Sequence, residues 1–292
     1  MVEARGSTAV VKKFHVGAVN HRLHVHGVAK QAKLQFQIIL ICTEAVTDNK
    51  RGKMGFYDNA VEVTRRTLVL FFVVDCSGSM TGSKIGTVNA AIEELVPEIK
   101  DISETNADAK IKIATLAFSD KAFWIEKEPV PIDDFRWEYL ETRSTTMFGK
   151  ACLQLNEKLS EKVFLNDPSG YFSPAIFLLS DGAPTDDYKE SLGKLKENRW
   201  FRSAIKVAIA IGKDANTRIL SDFTSNPDTV VSVHNPEALK KWVKFVSVRA
   251  SVLGSRNSTT PDENIAVSNR TDDLGNEIAN ASPDLDDNFI EW

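Results

Sequence analysis

The sequence predicts an α/β fold: a doubly wound, mainly parallel six-stranded sheet with helices on both faces. Two observations support this prediction. From Thr67 onward, apolar runs of strand length alternate with segments whose apolar residues recur at helical spacing. The first run, Leu68 to Val74, is apolar throughout and rich in β-branched and aromatic residues, as in a parallel strand buried on both faces.

The individual elements follow from these two periodicities. The predicted strands are Leu68 to Val74, Lys110 to Phe118, Ala122 to Lys127, Ala175 to Leu179, Ile205 to Ile211 and Thr229 to Val233. The predicted helices are Lys84 to Lys100, Phe148 to Lys162, Tyr188 to Asn198, Asn216 to Phe223 and Pro236 to Val248. Asp187 and Glu190 predict a capping box at the start of the third helix.

Charge divides the chain into three parts. Residues 1–53 carry nine Lys/Arg against three Asp/Glu (net +6), residues 54–250 carry 25 against 28 (net −3), and residues 251–292 carry two against nine (net −7), which together give the −4 of the chain. We expect one domain over residues 54–250. The basic segment 1–53 is expected to be an extension, either genuine or translated from an upstream start, because Met54 opens the stretch that leads into the domain. The polar, acidic segment 251–292 is expected to be a disordered tail.

Composition excludes several classes of protein. A near-neutral body argues against a nucleic-acid-binding core. No stretch reaches the length of a membrane span or resembles a signal peptide. The three scattered cysteines, Cys42, Cys76 and Cys152, form neither a disulfide framework nor a zinc-binding spacing. We therefore expect a cytoplasmic protein that binds neither nucleic acid nor membrane.

The first predicted strand ends in the sequence D-C-S-G-S, which contains Asp75, Ser77 and Ser79. One carboxylate and two hydroxyls at alternate positions suit a hard cation, Mg²⁺ or Mn²⁺, which prefers oxygen ligands. So short a pattern also arises by chance. The alternative is a Ser-rich helix start, in which Ser79, Thr81 or Ser83 satisfies free backbone amides.

Further oxygen ligands are expected at the same edge of the sheet, where the carboxyl ends of parallel strands meet. The strand that ends at Leu179 is followed by Asp181. The loop before the predicted helix at Phe148 contains Thr145 and Thr146, either of which offers a hydroxyl.

These residues resemble the metal-ion-dependent adhesion site of the von Willebrand factor type A (VWA) family. That family has D-x-S-x-S after its first strand, a threonine in a later loop and an aspartate after its fourth strand. The corresponding residues here are Asp75, Ser77, Ser79, Thr146 and Asp181, and the resemblance covers about residues 60–248. Where the family has Gly-Gly before the threonine, this chain has Ser144-Thr145, so Thr145 competes with Thr146 for the ligand position.

The resemblance implies a non-catalytic interaction domain, in which a Mg²⁺ (or Mn²⁺) ion held by these residues captures an Asp or Glu of a partner protein. Within the family, the stretches Met54 to Ala60 and Asp181 to Asp186 resemble the bacterial tellurium-resistance TerY-like branch. That branch implies a cytoplasmic adaptor associated with a Ser/Thr kinase and a metal-dependent protein phosphatase in a stress-response or defence system. The basic head and the acidic tail lie outside its pattern.

Other functions remain open at this point. A Mg²⁺-dependent phosphohydrolase of the haloacid-dehalogenase type also has an aspartate after its first strand, but its chemistry needs a second carboxylate two residues later, where this chain has Ser77. A phosphate-binding loop over Gly78 to Lys84 would need different glycine spacing. A VWA partner of an AAA ATPase is a further alternative.

Overall fold

The computed structural model describes residues 65–106, 109–160, 162–255 and 272–281, and these form one α/β domain. Its strands are β1 Arg66–Asp75, β2 Ala109–Phe118, β3 Ala122–Trp124, β4 Val130–Pro131, β5 Ala175–Ser180, β6 Ile205–Ile211 and β7 Val230–Val233. Its helices are α1 Ser83–Thr105, α2 Phe148–Lys158, α3 Lys189–Glu197, α4 Arg199–Ser203, α5 Thr217–Thr224, α6 Pro236–Ser255 and α7 at residues 272–281. The predicted α/β fold class is confirmed, with one more strand than expected.

The order of strands in the sheet places one crevice at its centre. The order is β3-β2-β1-β5-β6-β7, with β4 also paired to β2. Strands β1, β2, β5, β6 and β7 are parallel, and β3 and β4 run antiparallel to β2. The chain moves outward from β1 in one direction and then resumes at β5 on the other side of β1. The order therefore reverses between β1 and β5, and open α/β sheets bind ligands at such a switch point.

The continuous apolar character of β1 follows from burial on both faces. Leu68, Leu70, Phe72 and Val74 belong to the core under α1 and α6, whereas Val69, Phe71 and Val73 belong to the core under α2, α3, α4 and α5. Each of these seven side chains is at most 1% exposed. Both faces of the central strand are therefore closed to solvent, and its carboxyl end is the part that reaches the surface crevice.

Several predicted elements differ in detail from the structure. The two-residue strand β4 was not predicted, because it is too short to have a periodicity. The third predicted helix corresponds to α3, and the short helix α4 that follows it was not predicted. Asn198 caps the start of α4, because its side-chain oxygen accepts hydrogen bonds from the amides of Trp200 (2.8 Å) and Phe201 (3.2 Å). The expected capping box is absent, since α3 is preceded by Tyr188 and has no side-chain cap.

The structure corrects the prediction of a disordered tail at two places. Helix α6 continues to Ser255, and residues 272–281 form α7. Leu274 and Ile278, one helical turn apart, are buried in the same core as α1 and α6. The tail is polar on average, so its composition did not predict that these two apolar side chains would order a helix by packing in the core. The extension 1–53, residues 54–64 and the other parts of the tail lie outside the described residues.

Among the residues that the structure describes, no helix combines the length and the hydropathy of a membrane span.

Candidate metal centre

Asp75, the last residue of β1, lies at the switch point with both carboxylate oxygens held in place. Its side chain is fully buried. Oδ1 accepts a hydrogen bond from the Ser77 amide at 2.9 Å, and Oδ2 accepts one from the Ser180 hydroxyl at 2.6 Å. Burial raises the pKa of Asp75, the hydrogen bonds from Ser180 and Ser77 oppose that rise, and the nearby charge of Asp181 adds to it. Asp75 is therefore held in one orientation, and a nearby cation would stabilise its charged form.

Ser77 and Ser79 follow Asp75 in a tight turn. The Ser77 side chain is buried, Ser79 is exposed, and their hydroxyl oxygens are 3.1 Å apart. Residues Gly78–Met80 form a turn of 3₁₀ helix. A Cβ at Gly78 would lie 3.2 Å from the Ser144 carbonyl oxygen, so the turn packs closely against residues 143–147, which we call the threonine loop. Both hydroxyls thus stand on the same side of the turn, one of them open to solvent.

The threonine loop is tied to the turn on one side and to the segment after β5 on the other. The Arg143 amide donates to the Cys76 carbonyl at 2.7 Å. The Thr146 amide donates to the Thr185 hydroxyl at 3.2 Å, and the Thr185 amide donates to the Thr146 carbonyl at 2.8 Å. Thr146 is 4% exposed and lines a narrow cavity with Ser180 and Gly182. This places Thr146 beside the carboxyl end of β5.

Thr145 is a second candidate in that loop. Its hydroxyl oxygen is buried and has no hydrogen-bond partner among the described residues. An unsatisfied buried hydroxyl is unfavourable unless a ligand or water completes it. Thr145 therefore carries a second hydroxyl of this loop that a bound ion or water would satisfy.

Asp181, one residue beyond β5, is the second buried carboxylate of the site. It is 5% exposed, and its Oδ1 has no hydrogen-bond partner among the described residues. Its Oδ2 lies 3.6 Å from the Lys84 ammonium. The Asp181 carbonyl accepts from the Asn216 amide at 2.8 Å, which fixes the backbone at this point. An orphaned carboxylate oxygen at the switch point is the kind of group that a cation satisfies.

Sequence reasoning missed three residues that hold the site together. Ser180 donates to Asp75 and accepts from the Gly182 amide at 2.8 Å, which links the ends of β1 and β5. Thr185 anchors the threonine loop, and Asp186 accepts from the Gly149 amide at 2.9 Å in the first turn of α2. Ser180 and Asp186 lie next to recognised motifs, but a short-range pattern does not show that they bond to another segment.

The donor set suits a hard divalent cation. Two carboxylates and the hydroxyls of serines and threonines supply only oxygen, which Mg²⁺ and Mn²⁺ prefer. The described residues contain no group of three or more His, Cys, Asp and Glu that could hold a metal, so hydroxyls would have to complete any site here. The thiol of Cys76 lies in the apolar core, where its Sγ is 3.7 Å from the Val74 carbonyl oxygen and burial raises its pKa to about 12. The residues present therefore fit the ion that the sequence implies.

Fold and site together define an α/β domain that presents oxygen ligands at the switch point of a parallel sheet. The sequence model of the von Willebrand factor type A domain matches residues 70–244. The chain belongs to this family. The matched range begins within β1 and ends within α6, so it includes every candidate ligand. A search of curated proteins found no match.

Solved structures with a similar fold come from several sources. The ArnB paralog VWA2 from Sulfolobus acidocaldarius is 19% identical, with a TM-score of 0.45, and the match covers 60% of this chain and 44% of that one. Proximal thread matrix protein 1 from the mussel byssus, in a structure with a zinc-occupied MIDAS motif, is 15% identical, with a TM-score of 0.48 and coverages of 64% and 48%. The pilus adhesin SpaC from Lactobacillus rhamnosus GG is 14% identical, with a TM-score of 0.49 and coverages of 64% and 30%. This chain spans less than half the length of each of them.

Proposed function

We propose that this VWA domain is a metal-dependent protein-interaction module that binds a carboxylate of a partner protein through a divalent cation. The residues that would hold the ion are Asp75, Ser77, Ser79, Thr146 and Asp181. The observation that carries the proposal is the meeting of two buried aspartates with neutral hydroxyls at the switch point, where Asp181 Oδ1 is buried and has no partner among the described residues.

Each part of the site has a distinct role in this proposal. The hydroxyls of Ser77 and Ser79 bind the ion directly, and Asp75 and Asp181 hold it either directly or through water. Ser180 keeps Asp75 oriented by its 2.6 Å hydrogen bond. Because the hydroxyls add no negative charge, a bound Mg²⁺ or Mn²⁺ ion retains the ability to accept a carboxylate oxygen of the partner. Ser79, which is exposed, lies on the side from which the partner would approach.

The same donor set favours binding over catalysis. A phosphohydrolase of the haloacid-dehalogenase type needs a carboxylate as general acid and base two residues after its nucleophile. Ser77 occupies that position, and its hydroxyl contacts Ser79 at 3.1 Å. A neutral serine hydroxyl is a poor general acid or base near neutral pH, so this residue does not support that hydrolytic chemistry, and the function we propose is binding without catalysis.

The narrowest form of the proposal is a cytoplasmic TerY-like adaptor that joins a Ser/Thr kinase and a metal-dependent protein phosphatase in a bacterial stress-response or defence system. The stretch from Asp181 to Asp186 supports this form, because it resembles that branch. The second stretch on which the resemblance depends, Met54 to Ala60, lies outside the described residues. A partnership with an AAA ATPase is the alternative assembly.

Asp181→Asn, compared with Asp187→Asn, tests the proposal. Asp187 is an exposed carboxylate of the same loop and is not a candidate ligand. The immobilised full chain should retain its partner in Mg²⁺ and release it in EDTA. Asp181→Asn should lose this Mg²⁺-dependent capture because the amide carries no charge for the ion, whereas Asp187→Asn should keep it. Mass spectrometry of the retained proteins distinguishes a kinase and a phosphatase from an AAA ATPase.

Two results would contradict the proposal. One is calorimetry that detects no binding of Mg²⁺ or Mn²⁺ to the wild-type chain. The other is partner capture that EDTA does not change, or that Asp181→Asn and Asp187→Asn reduce equally. Circular dichroism of both variants confirms that they are folded before capture is compared.

A further inference from the structure

Lys84 stands in an electrostatically unfavourable place on its own helix. It is the second residue of α1, and the first turn of α1 contains no acidic residue. The amino-terminal end of a helix carries partial positive charge, which disfavours a cation there. A counter-charge outside α1 would offset this cost.

The ammonium of Lys84 points to the candidate metal centre. Its Nζ is 3.6 Å from Asp181 Oδ2, and the two side chains are 21% and 7% exposed. Among the described residues, Lys84 is the one cationic side chain within ion-pair distance of either aspartate of the site. Asp75, by contrast, is held by hydrogen bonds from Ser77 and Ser180.

Gly212, directly after β6, leaves room for this lysine. A Cβ added at Gly212 would lie 3.0 Å from Lys84 Cε and 3.1 Å from its Nζ. The φ of +95° favours glycine at this position, and the two distances show that the end of the Lys84 side chain lies against it. Lys84 thus crosses the sheet edge in contact with the end of β6 and reaches the aspartate after β5.

We propose that Lys84 is a tethered cation of the metal centre, which neutralises Asp181 when no divalent ion is bound and weakens the binding of that ion. This inference rests on the proposed function, because it requires a divalent cation at Asp181. An ammonium and a divalent ion repel each other, and in a partly buried site the repulsion is weakly screened. The ion therefore binds only when Lys84 gives up its contact with Asp181 and moves toward solvent, which its partial exposure permits.

Calorimetric titration of the full chain with MgCl₂ tests the proposal. Lys84→Met removes the charge and keeps an unbranched side chain, and we expect it to bind Mg²⁺ at least about tenfold more tightly, equivalent to about 1.4 kcal/mol. Lys84→Arg keeps the charge and should stay near the wild-type affinity. Lys150→Met is the control. In the wild type the Lys150 ammonium donates to the Asp120 carbonyl at 3.0 Å and pairs with neither Asp75 nor Asp181. Its loss should change the affinity for Mg²⁺ by less than about twofold.

A second measurement separates a local effect from a folding defect. In EDTA, Lys84→Met should unfold at a lower urea concentration than the wild type, because Asp181 is left without its counter-charge. Lys84→Gln, which can still donate a hydrogen bond to Asp181, should also bind Mg²⁺ more tightly and repeats the test if Lys84→Met does not fold.

The outcomes distinguish this inference from the proposed function. If the wild type binds Mg²⁺ and Lys84→Met and Lys84→Gln bind it equally or more weakly, the role of Lys84 is refuted and the proposed function stands. An equal gain in Mg²⁺ affinity in Lys150→Met also refutes it, since the loss of any nearby positive charge would then have the same effect. If the wild-type chain binds no Mg²⁺, both proposals fail.

Discussion

Ser180 is a single hydroxyl on which the geometry of the candidate site depends. It donates to Asp75 Oδ2 at 2.6 Å and accepts from the Gly182 amide at 2.8 Å, and it is 3% exposed. One side chain therefore couples the end of β1 to the turn after β5. Without this donor, Asp75 Oδ2 would be a buried carboxylate oxygen with an uncompensated desolvation cost, although Oδ1 would keep the Ser77 amide.

Ser180→Ala should lower the free energy of unfolding by about 1–3 kcal/mol, because it leaves buried polar groups of Asp75 and Gly182 unpaired. Ser79→Ala is the matched control: its exposed hydroxyl contacts only Ser77 among the described residues. We expect that variant to unfold like the wild type in EDTA and to bind Mg²⁺ more weakly. Urea denaturation in EDTA makes the comparison. Equal stability of wild type and Ser180→Ala would show that the hydrogen bond contributes little.

The sequence was sufficient to propose the ligands but not the residues that support them. Asp75, Ser77 and Ser79 form one short motif, so their spacing alone predicts a shared turn. Ser180 and Thr185 act on partners that are distant in sequence: Thr185 bonds to Thr146, and Ser180 to Asp75. A local pattern contains no information about which strand ends become neighbours, and that requires the strand order.

At the scale of elements, long and strongly periodic segments were predictable and short ones were not. Strands β1 and β5 have continuous apolar runs, β6 has one from Val207 to Ile211, and α1 shows clear helical spacing. Strand β4 has only two residues, and α7 buries little more than Leu274 and Ile278. In both cases the element depends on contacts with the rest of the domain, which composition does not reveal.

Helix α7 provides a test at this scale. Leu274 is fully buried against the core of α1 and α6. Leu274→Ala should lower the free energy of unfolding by about 2–5 kcal/mol, the range for a leucine removed from a packed core. Asn276→Ala, at an exposed position of the same helix, should have no such effect. Guanidinium denaturation measures both, and equal stability of Leu274→Ala and wild type would mean that α7 does not contribute to the fold in solution.

At the scale of the whole molecule, stability in alkaline solution should depend on Lys206. This lysine is 6% exposed, and its ammonium donates to the carbonyls of Phe201 (3.0 Å) and Ala204 (2.9 Å). Burial lowers its pKa from 10.5 to about 8. Between these values the unfolded chain binds more protons than the folded one, so the free energy of unfolding rises with pH, by about 2 kcal/mol from pH 8 to pH 10 for this group.

Urea denaturation of wild type and Lys206→Met across that range isolates the contribution. The wild type should gain stability relative to Lys206→Met as the pH rises. Lys189→Met, at an exposed position, serves as the control and should follow the wild type. A constant difference between wild type and Lys206→Met from pH 8 to pH 10 would contradict the expectation.

The central position of β1 also determines how often different parts of the candidate site open to solvent. Because β1 is paired on both sides along the sheet and closed on both faces, its amide hydrogens should exchange with solvent only when the whole domain opens. Asp75 is attached to that slowly exchanging strand, whereas Ser79 and the threonine loop lie on segments outside the sheet, which can open locally. We therefore expect Asp75 to keep its position for as long as the domain stays folded, whereas Ser79 and the threonine loop should open and close many times in that period.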